Sequence, residues 1–395
     1  MKNMKKVFLL SPLALENGRG GEISSMELAT GLNKLYNVTF MDTNILIGKK
    51  SLSNNAIRKK LINLKKKGRM IFATFSFHGK TFTFPYPSEL LRLYREIKQN
   101  DIIYSSYLDV KLSLLIIFFS VIHRKGKFII GYRKPPYSEK VLSLYNLKYR
   151  LSILLFSMFK KNIVHHALSS YAKSFLDNFY DPNSVIHITH GIDLDKYKGN
   201  ELTHKKHEVL NFVFIGYLDS IDKGVDVLLE AINELIEENK NLKIFFEFCG
   251  MGPLVKEVEE LANKYPDYVR FNGYISNEEV DKHYKKNDVF LFTSRRETLP
   301  RTIMEALAGG LVILSSKTIG SIELLKGQKF AYFLKELTPL TIKETIIKIY
   351  NLWDTNFERF NQLQIKAKEF VFKNYSFEKE LNEFKLVIDR GTFKK

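Results

Sequence analysis

The chain of 395 residues is too long for one ordinary domain, because a typical domain has about 150 residues and the length therefore predicts two or three. Hydrophobic residues make up 45% and charged residues 26%, which excludes a disordered tail, a collagen-like chain and a membrane channel. We expect a soluble, folded protein. The one cysteine, Cys249, cannot form an internal disulfide, which favours a reducing, cytoplasmic location.

The positive charge is concentrated in the front half of the chain. Residues 1–190 contain 30 Lys and Arg against 11 Asp and Glu, whereas residues 191–395 contain 31 against 32. The formal net charge of +18 therefore comes entirely from the front half. Such an excess predicts that something anionic approaches this half of the protein.

Short apolar runs alternate with amphipathic stretches along the whole chain, a pattern typical of βα units around parallel sheets that are buried on both faces. The predicted strands of the front half are KKVFLLS, NVTFMDT, RMIFATFSF, DIIYSSY, KFIIGY, NIVHHAL and SVIHITH. Those of the back half are LNFVFIG, LKIFFEFCG, VRFNG, DVFLFTS, LVILSS and AYFL. From about Thr338 onward only helical patterns follow.

Two domains are predicted from the break between these two series of strands. The polar segment 196–208 has the composition of a linker and coincides with the change in charge. We therefore predict an α/β protein with two doubly wound, Rossmann-like domains over 1–198 and 199–375, and a last helix over 376–395 that can pack back onto the first domain. Two such domains facing each other leave a cleft at the carboxyl ends of their strands, where we expect the ligand.

The segment 288–316 carries the strongest chemical pattern, a strand, a polar turn, a helix, two glycines and a strand. It places Glu297 before the helix and Glu305 within it, so that two carboxylates can accept hydrogen bonds from the hydroxyls of one ligand. The first amides of the helix can bind phosphate oxygens; these belong to Arg301, Thr302 and Ile303. The alternative is that Glu297 is a solvated turn residue and Glu305 a surface helix residue.

This segment resembles the signature of retaining glycosyltransferases of family 4, which have the glycosyltransferase-B fold. The resemblance covers most of the chain, because six elements occur in the family's order. They are GRGGE (18–22), HGIDLDKY (190–197), FIGYLDSIDKGVDVLLEA (214–231), FCGMGPL (248–254), VRFNGYISNEEV (269–280) and ETLPRTIMEALAGG (297–310).

The resemblance implies roles for individual residues. Lys223 would contact the donor diphosphate, Glu297 the hydroxyls of the transferred sugar, and Glu305 the ribose of the nucleotide, with Lys223 and Glu297 as the catalytic pair. A lysine offers a point charge to phosphate, but it could also be a solvated turn residue. Glycines without side chains let the backbone approach the donor; these are Gly20, Gly21 and Gly216.

The sequence departs from the family pattern at Tyr217, where members usually carry an arginine that contacts phosphate. The arginines that could replace it are Arg19, Arg295, Arg296 and Arg301. No residue matches the family's histidine, and no metal-binding motif that would hold the diphosphate is present. The resemblance thus implies a metal-independent enzyme without a cofactor, whose donor carries UDP or GDP.

The implied reaction is the retaining transfer of a hexose or other sugar from a nucleotide sugar to a lipid-linked or surface glycan acceptor, in bacterial surface-polysaccharide biosynthesis. The stretch 51–70 predicts a basic amphipathic helix, which would hold the enzyme as a peripheral protein on the anionic inner face of the cell membrane. It could equally be an ordinary domain helix. Two other interpretations are an inactive sugar-binding homologue and a nucleic-acid-binding protein, although no motif for nucleic acid is present.

Overall fold

The structure is a computed structural model that describes residues 4–11, 20–43, 65–70, 72–77, 80–85, 87–106, 127–132, 163–198 and 206–390, with a few single positions between 115 and 157. The chain divides into two compact units. The first unit comprises Met1–Thr189 together with Glu380–Lys395, and the second comprises His190–Lys379. Among the described residues, no helix combines the length and the apolar character needed to cross a membrane.

The first unit contains a seven-stranded parallel sheet in the order β3-β2-β1-β6-β7-β8-β9, and a separate antiparallel hairpin of β4 and β5. The strands are β1 Lys6–Leu10, β2 Asn37–Thr43, β3 Lys65–Met70, β4 Phe72–Phe77, β5 Lys80–Pro85, β6 Ile102–Ser105, β7 Lys127–Tyr132, β8 Ile163–Ala167 and β9 Val185–His187. The helices of this unit whose first and last residues the structure describes are α1 Gly20–Leu32, α2 Pro87–Gln99 and α3 Ser170–Leu176.

The second unit contains a six-stranded parallel sheet in the order β12-β11-β10-β13-β14-β15. Its strands are β10 Leu210–Tyr217, β11 Ile244–Met251, β12 Val269–Phe271, β13 Val289–Phe292, β14 Val312–Ser315 and β15 Ala331–Phe333. The helices are α4 Val225–Glu238, α5 Val255–Lys264, α6 Val280–Lys286, α7 Arg301–Ala308, α8 Ile319–Leu325, α9 Pro339–Thr355 and α10 Phe357–Asn374. The last helix of the chain, α11 Phe377–Arg390, begins in this unit and belongs to the first unit from Glu380 onward.

The order of this second sheet reverses once. The chain builds β10, β11 and β12 towards one edge, and then returns to the other side of β10 for β13, β14 and β15. Since β10 and β13 are parallel neighbours, their carboxyl ends lie at the same edge of the sheet. Ligands of open α/β sheets bind at such a reversal.

The last helix, α11, completes the core of the first unit. Phe384 and Ile388 are almost fully buried in the same apolar cluster as the first strands. The Lys5 ammonium donates a hydrogen bond to the Ile388 carbonyl over 2.7 Å, and the Tyr36 hydroxyl donates one to the Asp389 carboxylate over 2.8 Å. The helix therefore supplies both packing and polar contacts to a unit whose other residues are far away in sequence.

The α/β fold of two parallel sheets is confirmed, and each apolar run of the back half forms a strand. Two predictions for the front half were wrong. The run RMIFATFSF is not one strand, because β3 ends at Met70 and residues 72–77 form β4, which pairs with β5. The predicted basic helix 51–70 is wrong over residues 65–70, which form the parallel edge strand β3, while 51–64 lie outside the described residues. Lysine is common on edge strands, where it discourages pairing with another chain.

Candidate active site

The loop that follows β10 forms a turn that presents Lys223. The Asp219 carboxylate accepts hydrogen bonds from the backbone N–H groups of Asp222 and Lys223, over 2.7 and 3.0 Å. An aspartate that binds backbone groups a few residues ahead is a common way to stabilise a turn. The position of Lys223 is thus fixed by its own loop.

The loop after β13 is tied to this turn. The Thr293 hydroxyl donates to the Lys223 carbonyl over 2.9 Å, and the Arg295 N–H donates to the Asp222 carbonyl over 2.8 Å. Gly224, the residue before α4, has a left-handed φ of 62°, and a Cβ there would lie 2.5 Å from the Thr293 carbonyl oxygen. Only glycine allows this close approach of the two loops.

Lys223 and Glu297 meet at the reversal of the sheet. The Lys223 Nζ lies 2.7 Å from the Glu297 Oε2, and their side chains are 25% and 28% exposed. Burial, the largest effect, lowers the pKa of Lys223, but the carboxylates of Glu297, Asp219 and Asp222 outweigh it and raise the pKa above its ordinary value. The lysine therefore stays charged at neutral pH. Neither side chain is a solvated turn residue.

Gly320 fixes the backbone of the segment that carries Glu297. Its N–H donates to the Glu297 carbonyl over 3.1 Å. A Cβ on Gly320 would lie 2.5 Å from the backbone carbonyl of Thr298, so α8 can approach this segment only because residue 320 has no side chain. The loop after β13 is thus held by the turn after β10 and by Gly320 of α8.

Arg301 and Glu305 form a second charged pair on α7. The Arg301 Nε lies 3.9 Å from the Glu305 Oε1, and their side chains are only 12% and 14% exposed. Burial raises the pKa of Tyr284 well above its ordinary value, and the nearby Glu305 charge raises it further. The same two causes raise the pKa of Tyr197. Glu305 is therefore not a surface helix residue.

The predicted helix start is confirmed, because α7 begins at Arg301 after Pro300. Arg301, Thr302 and Ile303 form its first turn, and Pro300 makes no side-chain cap hydrogen bond to it. The first amides of a helix carry partial positive charge and are a common binding site for phosphate.

The predicted glycines occupy different places. Gly216 is the next-to-last residue of β10, and a Cβ there would come no closer than 3.4 Å to the Phe214 ring. Its neighbour across the sheet, Gly250, is more constrained, because a Cβ on Gly250 would lie 1.9 Å from the Gly216 carbonyl oxygen. Gly20 and Gly21 begin α1 in the first unit.

The four arginines proposed to replace the residue at 217 differ in their contacts. The Arg295 guanidinium binds both carboxylate oxygens of Asp226 over 3.0 and 3.2 Å, and also contacts the Ser220 carbonyl. Arg301 pairs with Glu305. Arg296 is exposed and forms no ion pair within the part of the chain that the structure describes, and Arg19 lies outside the described residues.

The residues that hold Lys223 and Glu297 in place were not predicted. They are Asp219, Gly224, Thr293 and Gly320. The sequence LDSIDKG carries a signal for the first two, since aspartate and glycine are typical turn residues. No local pattern marks Thr293 or Gly320, because each acts on a residue from a distant part of the chain.

The overall fold is that of the glycosyltransferase-B class. The crystal structure of Anabaena HepE in complex with UDP superimposes with a TM-score of 0.74 over 98% of this chain and 100% of that chain, at 14% sequence identity. This likeness establishes the fold, two Rossmann-like α/β domains.

Part of the chain is similar in sequence to known proteins. A family model described as glycosyl transferases group 1 matches residues 210–351, which contain both charged pairs. The chain is 26% identical over 243 residues to an uncharacterized glycosyltransferase of Methanocaldococcus jannaschii, covering 59% of this chain and 60% of that protein. It is 31% identical over 140 residues to spore coat protein SA of Bacillus subtilis, covering 34% and 36%.

The matches therefore span about 60% or less of the length of these relatives. The family match thus covers residues 210–351 of the second unit, and the shared fold extends over nearly the whole chain.

Proposed function

We propose that this protein is a retaining glycosyltransferase of family 4, which transfers a sugar from a UDP or GDP donor to a lipid-linked or surface glycan acceptor. The observation that carries the proposal is the Lys223–Glu297 pair, held 2.7 Å apart at the reversal of the second sheet. A fixed cation beside a fixed carboxylate suits a ligand that has both phosphates and hydroxyls. A nucleotide diphosphate sugar is such a ligand.

In the proposed reaction, the bond between the anomeric carbon and the diphosphate oxygen breaks, and a bond from that carbon to the acceptor oxygen forms on the same face. The departing diphosphate takes up the acceptor proton. Lys223 and the first amides of α7 stabilise the charge that develops on the diphosphate. Glu297 binds the sugar hydroxyls, Glu305 binds the ribose, and Gly216 leaves room for the donor beside the strand end.

We propose that Arg296 takes the place of the arginine that is absent at position 217. Arg295 is already bound to Asp226 and Arg301 to Glu305, whereas Arg296 is exposed and lies next to Glu297 in the same loop. Arg296→Ala should weaken UDP binding by about ten- to a hundredfold, because a hydrogen bond to a charged group contributes about 1.5–3 kcal/mol. Unchanged affinity in this variant would contradict the assignment.

The first unit is proposed to bind the acceptor and to face the anionic inner surface of the membrane, which would place the enzyme in polysaccharide biosynthesis. The basic excess of residues 1–190 supports this proposal, since each basic residue near such a surface contributes about 1 kcal/mol of attraction. Binding to vesicles with and without anionic lipid, at low and high salt, tests it.

A nucleotide-release assay across common sugar donors, with a crude lipid extract as acceptor, tests the main proposal. Release that depends on the acceptor supports transfer, and the anomeric configuration of the product tests retention. Donor binding that is unchanged by EDTA supports a metal-independent donor site. If neither UDP nor GDP binds in calorimetry, the proposal is wrong.

A second candidate is a sugar-binding homologue without activity. It is favoured by Tyr217, which ends β10 with 41% of its surface exposed where the family usually has arginine. This protein would bind UDP or GDP but release no nucleotide from any donor. The release assay separates the two candidates.

A further inference from the structure

Three side chains capable of binding a metal converge on one face of the second sheet. Glu247 and Cys249 are two residues apart on β11, so they point to the same side of the sheet. Helix α6 brings His283 to this side. We call these residues the Glu247–Cys249–His283 cluster. Within the described part of the chain, it is the one group of three His, Cys, Asp or Glu side chains that could hold a metal ion.

The distances in the cluster are close to those between the ligands of a tetrahedral zinc ion. The Cys249 Sγ lies 3.7 Å from the His283 Nδ1, which lies 3.0 Å from the Glu247 Oε1. All three atoms are within 4.8 Å of one another. Ordinary zinc bond lengths at the tetrahedral angle separate sulfur from nitrogen by about 3.6 Å and nitrogen from oxygen by about 3.4 Å. The two measured separations, from His283 to Cys249 and from His283 to Glu247, therefore differ from those of a zinc site by only a few tenths of an ångström.

Two asparagines hold the Glu247 carboxylate in position. The Asn272 amide donates to the Glu247 Oε1 over 2.5 Å and lies 3.8 Å from the Cys249 Sγ, while the Asn287 amide donates to the Glu247 Oε2 over 2.6 Å. Metal-binding carboxylates are usually oriented by such outer hydrogen bonds, which are needed for tight binding. The cluster thus has both ligands and a surrounding shell that orients them.

The cluster is shielded from solvent, yet it can be reached. Cys249 is fully buried, whereas the side chains of Glu247 and His283 are 12% and 20% exposed. The ion pair between His283 and Glu247 would not by itself require a thiol beside it. The His207–Asp288 pair in the same unit, 3.3 Å apart, is such an ion pair without a sulfur atom.

We propose that the Glu247–Cys249–His283 cluster binds one zinc ion, with water as the fourth ligand. A thiolate, an imidazole and a carboxylate form a ligand set that suits Zn²⁺ and is poor for Mg²⁺ or Ca²⁺, which prefer oxygen ligands. The ion lies between the His283 Nδ1 and the Glu247 Oε1, the neutral imidazole carries its proton on Nε2 instead of Nδ1, and the Cys249 proton is released to solvent. None of the three residues belongs to the Lys223–Glu297 or Arg301–Glu305 pairs, to which the donor is proposed to bind.

Metal binding by the full-length protein, freed of any affinity tag and stripped with a chelator, tests the proposal. Competition with a chromophoric chelator measures zinc, and Co²⁺ reports the sulfur ligand through a thiolate-to-cobalt charge-transfer band. We expect one zinc per chain and a band that is absent from Cys249→Ala. We also expect Cys249→Ala and His283→Gln to bind zinc at least about 100-fold more weakly, because each removes a direct ligand and the loss of an outer hydrogen bond alone usually costs about 10–100-fold.

His207→Gln serves as the matched control, since it removes a histidine paired with a carboxylate elsewhere in the same unit and should leave zinc affinity unchanged. Zinc should also raise the unfolding temperature of the wild-type protein, but not that of Cys249→Ala. The proposal is overturned if the wild-type protein binds less than one zinc at micromolar concentration, or if Cys249→Ala binds zinc as tightly as the wild type. The wild-type titration decides the matter even if a variant fails to fold.

Discussion

Replacing Lys223 by alanine tests the central electrostatic argument. The change removes a cation that lies 2.7 Å from Glu297 and leaves that carboxylate, 28% exposed, beside the proposed diphosphate position. One charge about 4 Å from phosphate attracts it by roughly 4 kcal/mol at an effective dielectric of about 20, and water replaces part of this attraction. We expect UDP to bind at least about tenfold more weakly, and turnover to fall by at least ~10²-fold.

Replacing Glu297 in the Lys223→Ala variant should restore part of the UDP affinity. In Lys223→Ala the Glu297 carboxylate has lost its partner and repels the diphosphate, so Lys223→Ala/Glu297→Gln should bind UDP more tightly than Lys223→Ala alone.

Because the pKa of Lys223 is raised, its charge is lost only above the ordinary range for lysine, and wild-type UDP affinity should not weaken between pH 7 and about 9.

Calorimetric titration with UDP measures these affinities, and thermal unfolding shows whether each variant is folded. Lys264→Ala is the matched control, because Lys264 also lies 2.7 Å from a glutamate in the same unit, but on the surface with 51% of its side chain exposed. We expect this control to bind UDP normally. A folded Lys223→Ala whose UDP affinity is within about twofold of the wild type would refute the reasoning.

Positions outside the Lys223–Glu297 pair test the rest of the structure. Glu305→Ala should lower turnover by at least ~10²-fold without unfolding the protein, and near-normal nucleotide release would remove Glu305 from the site. Gly320→Ala places a Cβ 2.5 Å from the Thr298 backbone and should weaken UDP binding about tenfold. The control is Gly327→Ala, where φ is 81° and no atom lies within 4 Å of the added Cβ; it should lose about 1 kcal/mol of stability and keep its UDP affinity. Burial lowers the pKa of His165 to about 3. Between pH 6.5 and about 3 the unfolded chain therefore binds a proton that the folded chain does not. The free energy of unfolding should fall by up to about 1.4 kcal/mol per pH unit as the pH decreases through this range. Urea unfolding of His165→Gln should show a shallower pH slope, and equal slopes would contradict this assignment.

The sheets were predictable from the sequence because a buried parallel strand is apolar on both faces. Each run of the back half, from LNFVFIG to AYFL, forms a strand for this reason. The lysine-rich strand β3 was not predictable, since an edge strand needs few apolar side chains and its residues 65–70 also fit a helical pattern. Pairing with β2, a contact from a distant part of the chain, decides between the two structures.

In the candidate active site too, the local sequence predicts residues but not the contacts between distant parts of the chain. The motif around Glu297 and the element around Lys223 predict both as site residues, but the 2.7 Å contact between them depends on the neighbouring positions of β10 and β13. The contact between Arg295 and Asp226 likewise joins residues from different loops, so the sequence could not choose among the candidate arginines. Contacts of this kind are set by sheet order, which the local pattern does not encode.

The burial of Phe384 and Ile388 in the first unit has a consequence for synthesis on the ribosome. Strands β1 and β2 emerge from the exit tunnel early, but the apolar surface that α11 covers stays open until residue 388 has been translated. At about 5–20 residues per second, the interval after β9 lasts roughly 10–40 seconds. During this time chaperones can bind the exposed surface, and ribosome-bound chains stalled before Phe384 should be more sensitive to protease than the released full-length protein.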